Sequence, residues 1–326
     1  MVMASGQDGR PLISVILPTY DRPEMLCEAV RTVRDQTYPN VELIVVDDCS
    51  PQPAAETLDR VDTGPTLSLH VKRHEENRGA NHARNTGLSV ADGEFIAFLD
   101  DDDLWHREKL ERQVRVFQES SRSVGLVYTG QRYVNETGNI TAIRLPTTSG
   151  DATEEILRGA AIGSFSTLMI RALVTEDVGV LDERLPSWQD RDFIIRVSRE
   201  YEFKPITEPL VTRRMGSHYQ IADDYEAKKE VTYPLFVDKH RQLAAEYGEA
   251  TEHRFMAQTT QNLAGAALKN GHYRDAVTYA VRIIRYEPWS LTGYLYLLLG
   301  SGGDVTYKSA QHLKRAYVRV TNLDHS

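Results

Sequence analysis

Four consecutive carboxylates follow an apolar run in this chain, and such groups are typical cation ligands. Glu94–Leu99 reads as a buried strand, and Asp100–Asp103 come directly after it. Packing alone does not favour this cluster, because each carboxylate raises the free energy of ionising the next. Mg²⁺ or Mn²⁺ would compensate the charge, since both ions prefer hard oxygen ligands. The alternative interpretation is a solvated acidic turn before a helix predicted over Trp105–Glu119.

Three further polar clusters occur where predicted strands end. They are Pro18–Arg22 after the first strand, Asp47–Ser50 after the second and Asn77–Gly79 after the third. Ligands of open α/β sheets bind at the carboxyl ends of the strands, so we expect all four clusters at one sheet edge. The first strand is not followed by Gly-x-Gly-x-x-Gly, and the chain contains no Gly-Lys-Ser/Thr. A Rossmann dinucleotide site and a P-loop are therefore disfavoured.

Strands and helices must alternate to place these clusters together. The alternation predicts a mostly parallel, doubly wound α/β sheet, and continuous apolar runs indicate strands buried on both faces. The predicted strands are Leu12–Leu17, Val41–Val46, Thr66–Val71, Glu94–Leu99, Val124–Thr129 and Ser166–Ile170, with a hairpin over Tyr133–Ile143. The predicted helices of this part are Pro23–Gln36, Ala54–Val61, Gly79–Val90 and Gln189–Arg199.

The C-terminal third of the chain has helical periodicity without strand signals. Helices are predicted over 225–247, 252–269, 272–286, 291–299 and 305–318. We expect a disordered tail at 1–10, an α/β domain at 11–225 and an all-helical domain at 226–326. Asn262–Pro288 resembles one tetratricopeptide-type hairpin, but solenoids need several such units, so a bracing helical bundle is the favoured interpretation.

Composition excludes several classes of protein. The chain has 326 residues, 41% hydrophobic and 26% charged, which is typical of a globular protein. Its net charge of −9 argues against a nucleic-acid partner. Two cysteines, Cys27 and Cys49, cannot form a disulfide scaffold, so a reducing cytoplasm is expected. Leu291–Leu299 is too short to span a membrane, and peripheral contact with the cytoplasmic membrane face is the alternative to a buried helix.

The motifs taken together resemble those of family 2 glycosyltransferases. The resemblance extends from about residue 12 to residue 220 and implies a GT-A fold with a nucleotide-sugar substrate. The motifs that carry it are Ile16–Arg22, Val45–Ser50, Asn77–Gly79 with Ala83–Gly87, Phe98–Trp105 and Trp188–Phe193.

The resemblance implies a nucleotide site at the strand ends. Pro18 and Tyr20 would flank the base, and Asp48 would accept a hydrogen bond from the base edge. That bond suits uracil N3–H and hence a UDP-sugar. Arg22, with Arg84 or Arg78, would lie near the diphosphate, which arginine binds well. The alternatives are a strand-end aromatic for Tyr20, a turn cap for Asp48 and a solvated or ion-paired side chain for Arg84.

The resemblance also implies a metal site that uses Mn²⁺ or Mg²⁺. Asp100-x-Asp102 matches the family's metal motif. Asp100 and Asp101 would contact the nucleotide, with Asp101 at the ribose, and Asp102 would bind the metal on the diphosphate. His218 lies in a basic segment, Arg213–Gln220, that resembles a loop closing over the nucleotide, and it would approach the metal or the diphosphate. A loop without a direct role is the alternative.

Asp190 is the predicted general base, because the family's acidic motif places its catalytic carboxylate there. A single displacement with one carboxylate base inverts the anomeric carbon. Asp192 is the competing candidate, and Gln189 replaces a Glu often found in the family. A helix N-terminal carboxylate without catalytic role is the alternative for Asp190.

The predicted function is metal-assisted, inverting sugar transfer from a nucleotide sugar to an acceptor hydroxyl. The acceptor would be a polysaccharide or other glycan, a lipid-linked oligosaccharide or a protein glycan. One alternative is a non-catalytic sugar-nucleotide-binding scaffold whose helical region recruits partners. Another is a nucleotidyltransferase, which usually carries a Gly-rich first loop that is absent here.

Overall fold

The computed structural model describes residues 9–64, 67–215 and 224–310. The chain forms two compact units. The first contains residues 1–156, 160–184 and 189–218, and the second contains 157–159, 185–188 and 219–326. The division of the chain into domains at 11–225 and 226–326 stays a prediction.

A mixed sheet is the centre of the first unit. Its nine strands within the described residues are β1 (Ile13–Thr19), β2 (Val41–Asp47), β3 (Ser68–Arg73), β4 (Phe95–Phe98), β5 (Asp103–Trp105), β6 (Val124–Val134), β7 (Ile140–Arg144), β8 (Leu168–Arg171) and β9 (Glu202–Arg214). Their order is β3-β2-β1-β4-β8-β6-β9-β5, and β7 pairs with β6 outside this path. β1 to β4 are parallel, whereas β8 is antiparallel to both of its neighbours.

Helices of the N-terminal part alternate with the strands, as predicted. They are α1 (Pro23–Arg34), α2 (Ala54–Leu58), α3 (Ala80–Leu88), α4 (Lys109–Gln118), α5 (Thr153–Leu157), α6 (Leu173–Val178) and α7 (Gln189–Ser198). A 3₁₀ turn over Phe165–Thr167 occupies the first half of the strand predicted at Ser166–Ile170. The α/β fold class inferred from the sequence is confirmed.

The two faces of the central strands are buried for a reason visible in the sequence. Every residue of β1 is buried, and alternate side chains point to opposite faces. Val15 and Leu17 belong to the large core that also contains Leu26 of α1. On the other face, a Cβ atom at Gly87 of α3 would lie 2.5 Å from Cγ2 of Ile16. Glycine therefore lets α3 lie close against β1.

The segment after the acidic cluster differs from the prediction. The helix predicted from Trp105 begins at Lys109, because Asp103–Trp105 pairs with β9 in antiparallel register. Trp105 is buried, and its Nε1 donates a hydrogen bond to the Ser166 carbonyl at 2.8 Å. An aromatic residue in this setting favours a strand over a helix.

β9 has thirteen residues and is not predicted by the sequence pattern. Pro205 and Pro209 interrupt it, and proline within a run normally argues against a strand. The strand accommodates Pro209 where its register with β6 shifts, between Thr129 and Gly130. This strand matters for the site because its C-terminal end runs beside the acidic cluster.

The second unit is largely helical, as predicted. Its elements in the described residues include α8 (Tyr225–Ala227), a π-helical segment over Lys228–Thr232, α9 (Tyr233–Glu246), α10 (Glu249–Lys269), α11 (Tyr273–Tyr286) and α12 (Leu291–Ser301), followed by helical residues 303–310. α10 and α11 form a hairpin with a small-residue core that includes Ala264 and Ala276. None of the helices in the described ranges is long and apolar enough to cross a membrane.

Candidate active site

The acidic turn, Asp100–Asp103, lies between β4 and β5 and is held by neighbouring elements. The backbone N–H of Asp100 donates to Oγ of Ser166 at 3.1 Å. Arg214, at the end of β9, donates from Nε to the Asp102 carbonyl at 2.8 Å and from Nη2 to the Asp101 carbonyl at 3.3 Å. These contacts fix the backbone of the turn, so its carboxylates project from a defined frame.

The negative charge of Asp101 is offset by side chains of the protein itself. Its buried carboxylate accepts hydrogen bonds from Thr19 and Arg22, both at 2.8 Å. Burial raises the pKa of Asp101 to about 6, against the opposing effect of the Arg22 guanidinium. Arg22 also lies 3.2 Å from the carboxylate of Asp102. Arg22 therefore joins the end of β1 to two members of the acidic turn.

The other three carboxylates form a group that fits a divalent cation. Oxygens of Asp100, Asp102 and Asp103 lie within 4.8 Å of one another, comparable to the roughly 4.2 Å across a Mg²⁺ ion with bonds of about 2.1 Å. Asp103 is buried, and its Oδ1 has no hydrogen-bond partner among the described residues. Burial and the charges of Asp102 and Asp100 raise the pKa of Asp103 well above its usual range. A hard cation would provide a partner for the buried oxygen and would offset the repulsion among the three carboxylates.

Asp48 lies in a second arrangement, the Asp48 cradle, formed with His74, Arg78 and Gly79. Oδ1 accepts the Arg78 N–H at 3.0 Å and lies 2.7 Å from Nδ1 of His74. Oδ2 accepts the Gly79 N–H at 2.7 Å. Since each carboxylate oxygen accepts about two hydrogen bonds, Oδ1 is saturated and Oδ2 keeps one position. The cradle thus leaves room for one further N–H or O–H group.

The residues around the end of β1 combine exposure with backbone strain. Pro18 is buried, whereas the Tyr20 side chain is 45% exposed. Asp21 and Cys49 have φ values of 52° and 67°, in the left-handed region. Such conformations cost non-glycine residues about 1–3 kcal/mol and cluster at functional sites. Tyr20 follows Thr19, whose carbonyl accepts a hydrogen bond from the Asp48 N–H, so the backbone of Tyr20 is next to the Asp48 cradle.

Arg84 is buried within the site and does not project into solvent. Its Nη2 donates to Asp100 at 2.5 Å and its Nη1 to Oε1 of Gln189 at 3.3 Å. The guanidinium also lies 4.3 Å from the centre of the Phe165 ring, a cation–π arrangement. Arg84 thereby connects the acidic turn with the first residue of α7.

Asp190 and Asp192, both in the first turn of α7, differ in environment. Asp192 is buried and paired with Arg196 at 3.0 Å, an i,i+4 contact. Asp190 is half-buried, and its Oδ1 accepts the Arg191 N–H at 2.8 Å. Burial raises the pKa of Asp190, while the Arg191 N–H and the Arg213 charge oppose the shift. Gln189, the residue before Asp190, accepts a hydrogen bond from Arg84, which also donates to Asp100, so the start of α7 is joined to the acidic turn.

Most of the predicted site residues are therefore close to one another: Pro18, Tyr20, Arg22, Asp48, Arg84, Asp100, Asp101, Asp102 and Asp190. His218 lies outside the described residues, so its predicted contact with the metal stays a prediction.

Four further residues lie at the site. His74 has no role in the sequence prediction, and Asp103 enters it only as a member of the acidic cluster. Arg213 and Arg214 were predicted in a loop, whereas the structure places them at the end of β9. His74 ends up beside Asp48, and its position just after β3 is the signal that could have drawn attention to it. Asp103 joins the carboxylate group, and its place in the run of aspartates is its signal. Arg213 and Arg214 reach the acidic turn only because β9 pairs with β5, which no local pattern indicates.

The fold and the site define a class of α/β enzymes whose ligand site lies at the carboxyl ends of parallel strands. Residues 14–175 match the family described as Glycosyl transferase family 2. An uncharacterised glycosyltransferase of Haemophilus influenzae is 30% identical over 202 residues, which cover 61% of this chain and 67% of that protein. The chain belongs to glycosyltransferase family 2 and is a transferase enzyme, as the sequence motifs imply.

Two named relatives add detail. TuaG of Bacillus subtilis, a putative teichuronic acid biosynthesis glycosyltransferase, is 39% identical over 129 residues, covering 40% of this chain and 50% of TuaG. WfgD of Escherichia coli, a UDP-Glc:alpha-D-GlcNAc-diphosphoundecaprenol beta-1,3-glucosyltransferase, is 30% identical over 163 residues, covering 50% of this chain and 62% of WfgD. Both alignments span less than two thirds of the relative.

Solved structures support the GT-A fold. Staphylococcus aureus TarS residues 1–349 in complex with UDP-GlcNAc has a TM-score of 0.62 at 19% identity, covering 94% of this chain and 92% of that one. The mannosyltransferase PcManGT of Pyrobaculum calidifontis, in complex with GDP-Man and Mn²⁺, has a TM-score of 0.53 at 20% identity, covering 90% and 86%. At these identities, the likeness is one of fold.

Proposed function

We propose that this enzyme transfers a sugar from a nucleotide diphosphate sugar to an acceptor hydroxyl, with inversion at the anomeric carbon. The observation that carries the proposal is that hydrogen bonds join the Asp48 cradle, the acidic turn and the first turn of α7, which contains Asp190. Such a transfer requires three parts: a group that binds the nucleobase, a group that binds the diphosphate, and a carboxylate that acts as general base on the acceptor hydroxyl.

UDP is the proposed nucleotide. The remaining acceptor position on Asp48 Oδ2 suits the N3–H of uracil. Pro18 and the exposed ring of Tyr20 are proposed to flank the nucleobase. His74 orients the carboxylate through Oδ1. WfgD is named for UDP-Glc and the TarS complex contains UDP-GlcNAc, which supports the same nucleotide here, whereas the PcManGT complex contains GDP-Man.

Mn²⁺ or Mg²⁺ is the proposed cofactor, held by Asp102 with Asp103 and Asp100. Two observations support this assignment: Oδ1 of Asp103 has no hydrogen-bond partner among the residues that the structure describes, and the three carboxylates repel one another. When bound, such an ion stabilises the negative charge that develops on a leaving diphosphate. His218 stays a proposed contributor from outside the described residues. The PcManGT complex, which contains Mn²⁺, is consistent with the choice of ion.

Two arginines have different proposed roles. Arg22, whose side chain is partly exposed, is proposed to contact the diphosphate while it holds Asp101 and Asp102. Arg84 is buried, so it is proposed to act on the nucleotide mainly by orienting Asp100. Asp101 is proposed to contact the ribose, and its bonds to Thr19 and Arg22 would fix its orientation.

Asp190 is the proposed general base. It would accept the proton of the acceptor hydroxyl as that oxygen attacks the anomeric carbon, while the bond to the diphosphate breaks on the opposite face of the sugar. A raised pKa brings the basicity of this carboxylate closer to that needed near neutral pH. Asp192 is a poor alternative, because its carboxylate is buried in the pair with Arg196.

A lipid-linked glycan is the proposed acceptor class, ahead of a free polysaccharide or a protein glycan. WfgD is named for a diphosphoundecaprenol-linked acceptor, and TuaG is named for teichuronic acid biosynthesis. We propose that residues 11–225 form the catalytic domain, and 226–326 the helical domain. Free cysteines at Cys27 and Cys49 are consistent with the proposed reducing, cytoplasmic location.

A nucleotide-sugar panel combined with one variant tests the proposal. The purified full chain is offered UDP-, GDP- and CDP-sugars with Mn²⁺ or Mg²⁺, and hydrolysis and transfer to a lipid-linked acceptor mixture are measured. Asp190→Asn should lower transfer by about three orders of magnitude, because the base is lost, while UDP binding by calorimetry stays near wild type. Glu176→Gln is the matched control, an exposed carboxylate in the first turn of α6.

Near-normal turnover by Asp190→Asn would show that another group is the base. Absence of binding to every nucleotide sugar would contradict the transferase chemistry as a whole.

A further inference from the structure

The ring of His74 lies between two polar groups, one at each of its nitrogens. Its Nδ1 is 2.7 Å from Oδ1 of Asp48, and its Nε2 is 2.9 Å from Oγ1 of Thr86 in α3. The backbone N–H of His74 donates to the Asp47 carbonyl at 2.9 Å, so this residue continues the pairing of β3 with β2. The ring therefore joins α3 to the carboxylate of the Asp48 cradle.

The two contacts of the ring differ in what they require of its nitrogens. An ionised carboxylate only accepts hydrogen bonds, so Nδ1 of His74 must carry a proton to bond Asp48. A neutral imidazole has one protonated nitrogen, which leaves Nε2 as an acceptor. The Thr86 hydroxyl can donate to that acceptor. The hydrogen bond at Nε2 thus favours the tautomer that bonds Asp48 through Nδ1.

The Thr86 hydroxyl bonds His74 and not its own helix. Threonine hydroxyls within helices commonly bond a backbone carbonyl three or four residues earlier. Those of Thr32, Thr175 and Thr278 make such a bond in this protein. In the described part of the chain, Thr86 makes none, and Nε2 of His74 is the partner of its hydroxyl. The hydroxyl proton is therefore available to the ring.

Neighbouring contacts hold Thr86 and the His74 ring in place. Asn85 donates from Nδ2 to the Leu181 carbonyl at 2.9 Å, and its Oδ1 accepts the Leu181 N–H at 3.0 Å. One turn before Thr86, the His82 ring lies 4.8 Å from the ring of His74, centre to centre. The helix and the ring are thus positioned by contacts that do not involve the Thr86 hydroxyl.

We propose that Thr86 is a positioning residue for recognition of the nucleobase, a role that rests on the proposed binding of UDP. Its hydroxyl holds His74 in the Nδ1–H form, so Oδ1 of Asp48 is saturated and Oδ2 is left to accept one N–H group. In the other tautomer, the lone pair of Nδ1 would face the carboxylate, and repulsion would turn the carboxylate away from the base. The site then selects a base with a ring N–H, such as uracil, over cytosine, whose N3 carries no proton.

The tautomer of His74 is measured without any ligand. NMR of the full chain, labelled with ¹⁵N-histidine at about pH 8, where imidazole is ordinarily neutral, shows which ring nitrogen carries the proton. His74→Asn identifies the resonance by its loss. Wild type and Thr86→Ser should be protonated at Nδ1. Thr86→Val, which keeps the shape without the hydroxyl, should show a mixture with the Nε2–H form.

Calorimetry with UDP and CDP tests the consequence for recognition. Thr86→Val should weaken the binding of UDP by about fivefold, as expected for one lost hydrogen bond, with CDP binding nearly unchanged. The KM for the UDP-sugar should rise by the same factor while kcat is unchanged. Thr86→Ser should bind UDP as wild type does. In the His74→Ala background, Thr86→Val should add no further loss, because both residues act through one ring.

Thr175→Val is the matched control, because its hydroxyl bonds the Ala172 carbonyl at 2.9 Å. This variant should keep the wild-type affinity for UDP. Thermal denaturation of all variants should show that each one is folded.

Four results would overturn the inference. They are a wild-type His74 ring protonated at Nε2 alone or at both nitrogens, an unchanged tautomer in Thr86→Val, an unchanged ratio of UDP to CDP affinity in that variant, and additive losses in the double variant. Absence of UDP binding by wild type would instead contradict the proposed function. The two failures are distinguishable, because the tautomer is measured in the free protein.

Discussion

The acidic turn and the Asp48 cradle follow β4 and β2, the two strands on either side of β1, but their negative charges are offset in different ways. Asp48 receives two backbone N–H groups and His74, so its charge is surrounded by short-range hydrogen-bond donors. Asp103 is buried beside Asp102 and Asp100, and its Oδ1 has no hydrogen-bond partner in the described part of the chain. The cradle suits one neutral N–H group, whereas the turn calls for a cation.

Between these two regions, the acidic turn should give the larger effect on substitution. Asp102→Ala should lower transfer by about two orders of magnitude, because a ligand of the ion is lost. UDP titrations by calorimetry, with and without Mn²⁺, should show metal-enhanced affinity in wild type but not in the variant. Asp59→Ala, an exposed carboxylate after α2, is the control and should behave as wild type. Equal Mn²⁺ enhancement in both proteins would remove the metal role from Asp102.

Asp48→Asn should have the next largest effect, which we expect on the affinity for UDP and not on the rate of transfer. The amide replaces one acceptor oxygen by an N–H₂ group, so binding of UDP should weaken by about 10–100-fold. Binding of GDP or CDP should change little, so the ratio of the affinity for UDP to the affinity for GDP or CDP should fall. Asp47→Asn is the neighbouring control: Asp47 bonds the backbone N–H groups of Ser50 and Ala54. That variant should lower thermal stability while the preference among nucleotides remains. If Asp48→Asn preferred UDP over GDP and CDP as strongly as wild type does, the Asp48 cradle would not recognise the nucleobase.

His74 should have a smaller effect, because it acts through Asp48. His74→Ala should raise the KM for the UDP-sugar by about tenfold with kcat nearly unchanged, as expected for a positioning residue. His74→Asn should restore part of the affinity, because its amide can donate to Asp48. His70→Ala, an exposed histidine in β3, the strand that ends just before His74, is the control. A fall in kcat alone would indicate that His74 acts elsewhere in the reaction.

The smallest expected effect is a pH dependence of stability from Asp101. Its pKa is raised from 3.8 to about 6, mainly by burial, so the folded state holds this proton more tightly than the unfolded state. The free energy of unfolding should therefore rise as pH falls from about 6 to about 4, by about 2–3 kcal/mol at most. Denaturant titrations without divalent metal measure it, and Asp101→Asn should remove this contribution. The same slope in both proteins would contradict the assignment.

Local pattern sufficed for much of the fold. Continuous apolar runs predicted β1, β2 and β4 to within two residues, because burial on both faces leaves no polar position to obscure the strand. The helices α1, α3 and α7 also begin within one residue of prediction. β9 was not predicted, because Pro205 and Pro209 interrupt its strand pattern and because its partner β6 lies about 80 residues away along the chain.

The sequence by itself determined which polar groups stand at the ends of the parallel strands, since the parallel direction of β1 to β4 follows from the alternation of apolar runs and helices. Only the tertiary structure decided which carboxylates have their negative charge offset by hydrogen bonds or ion pairs. Arg214 reaches the acidic turn because β9 pairs with β5, more than a hundred positions away in the chain. Oδ1 of Asp103 is buried without a hydrogen-bond partner in the described ranges, and burial commits Asp192 to its pair with Arg196. Ionisation and metal preference respond to those neighbours, and residue type alone does not encode them.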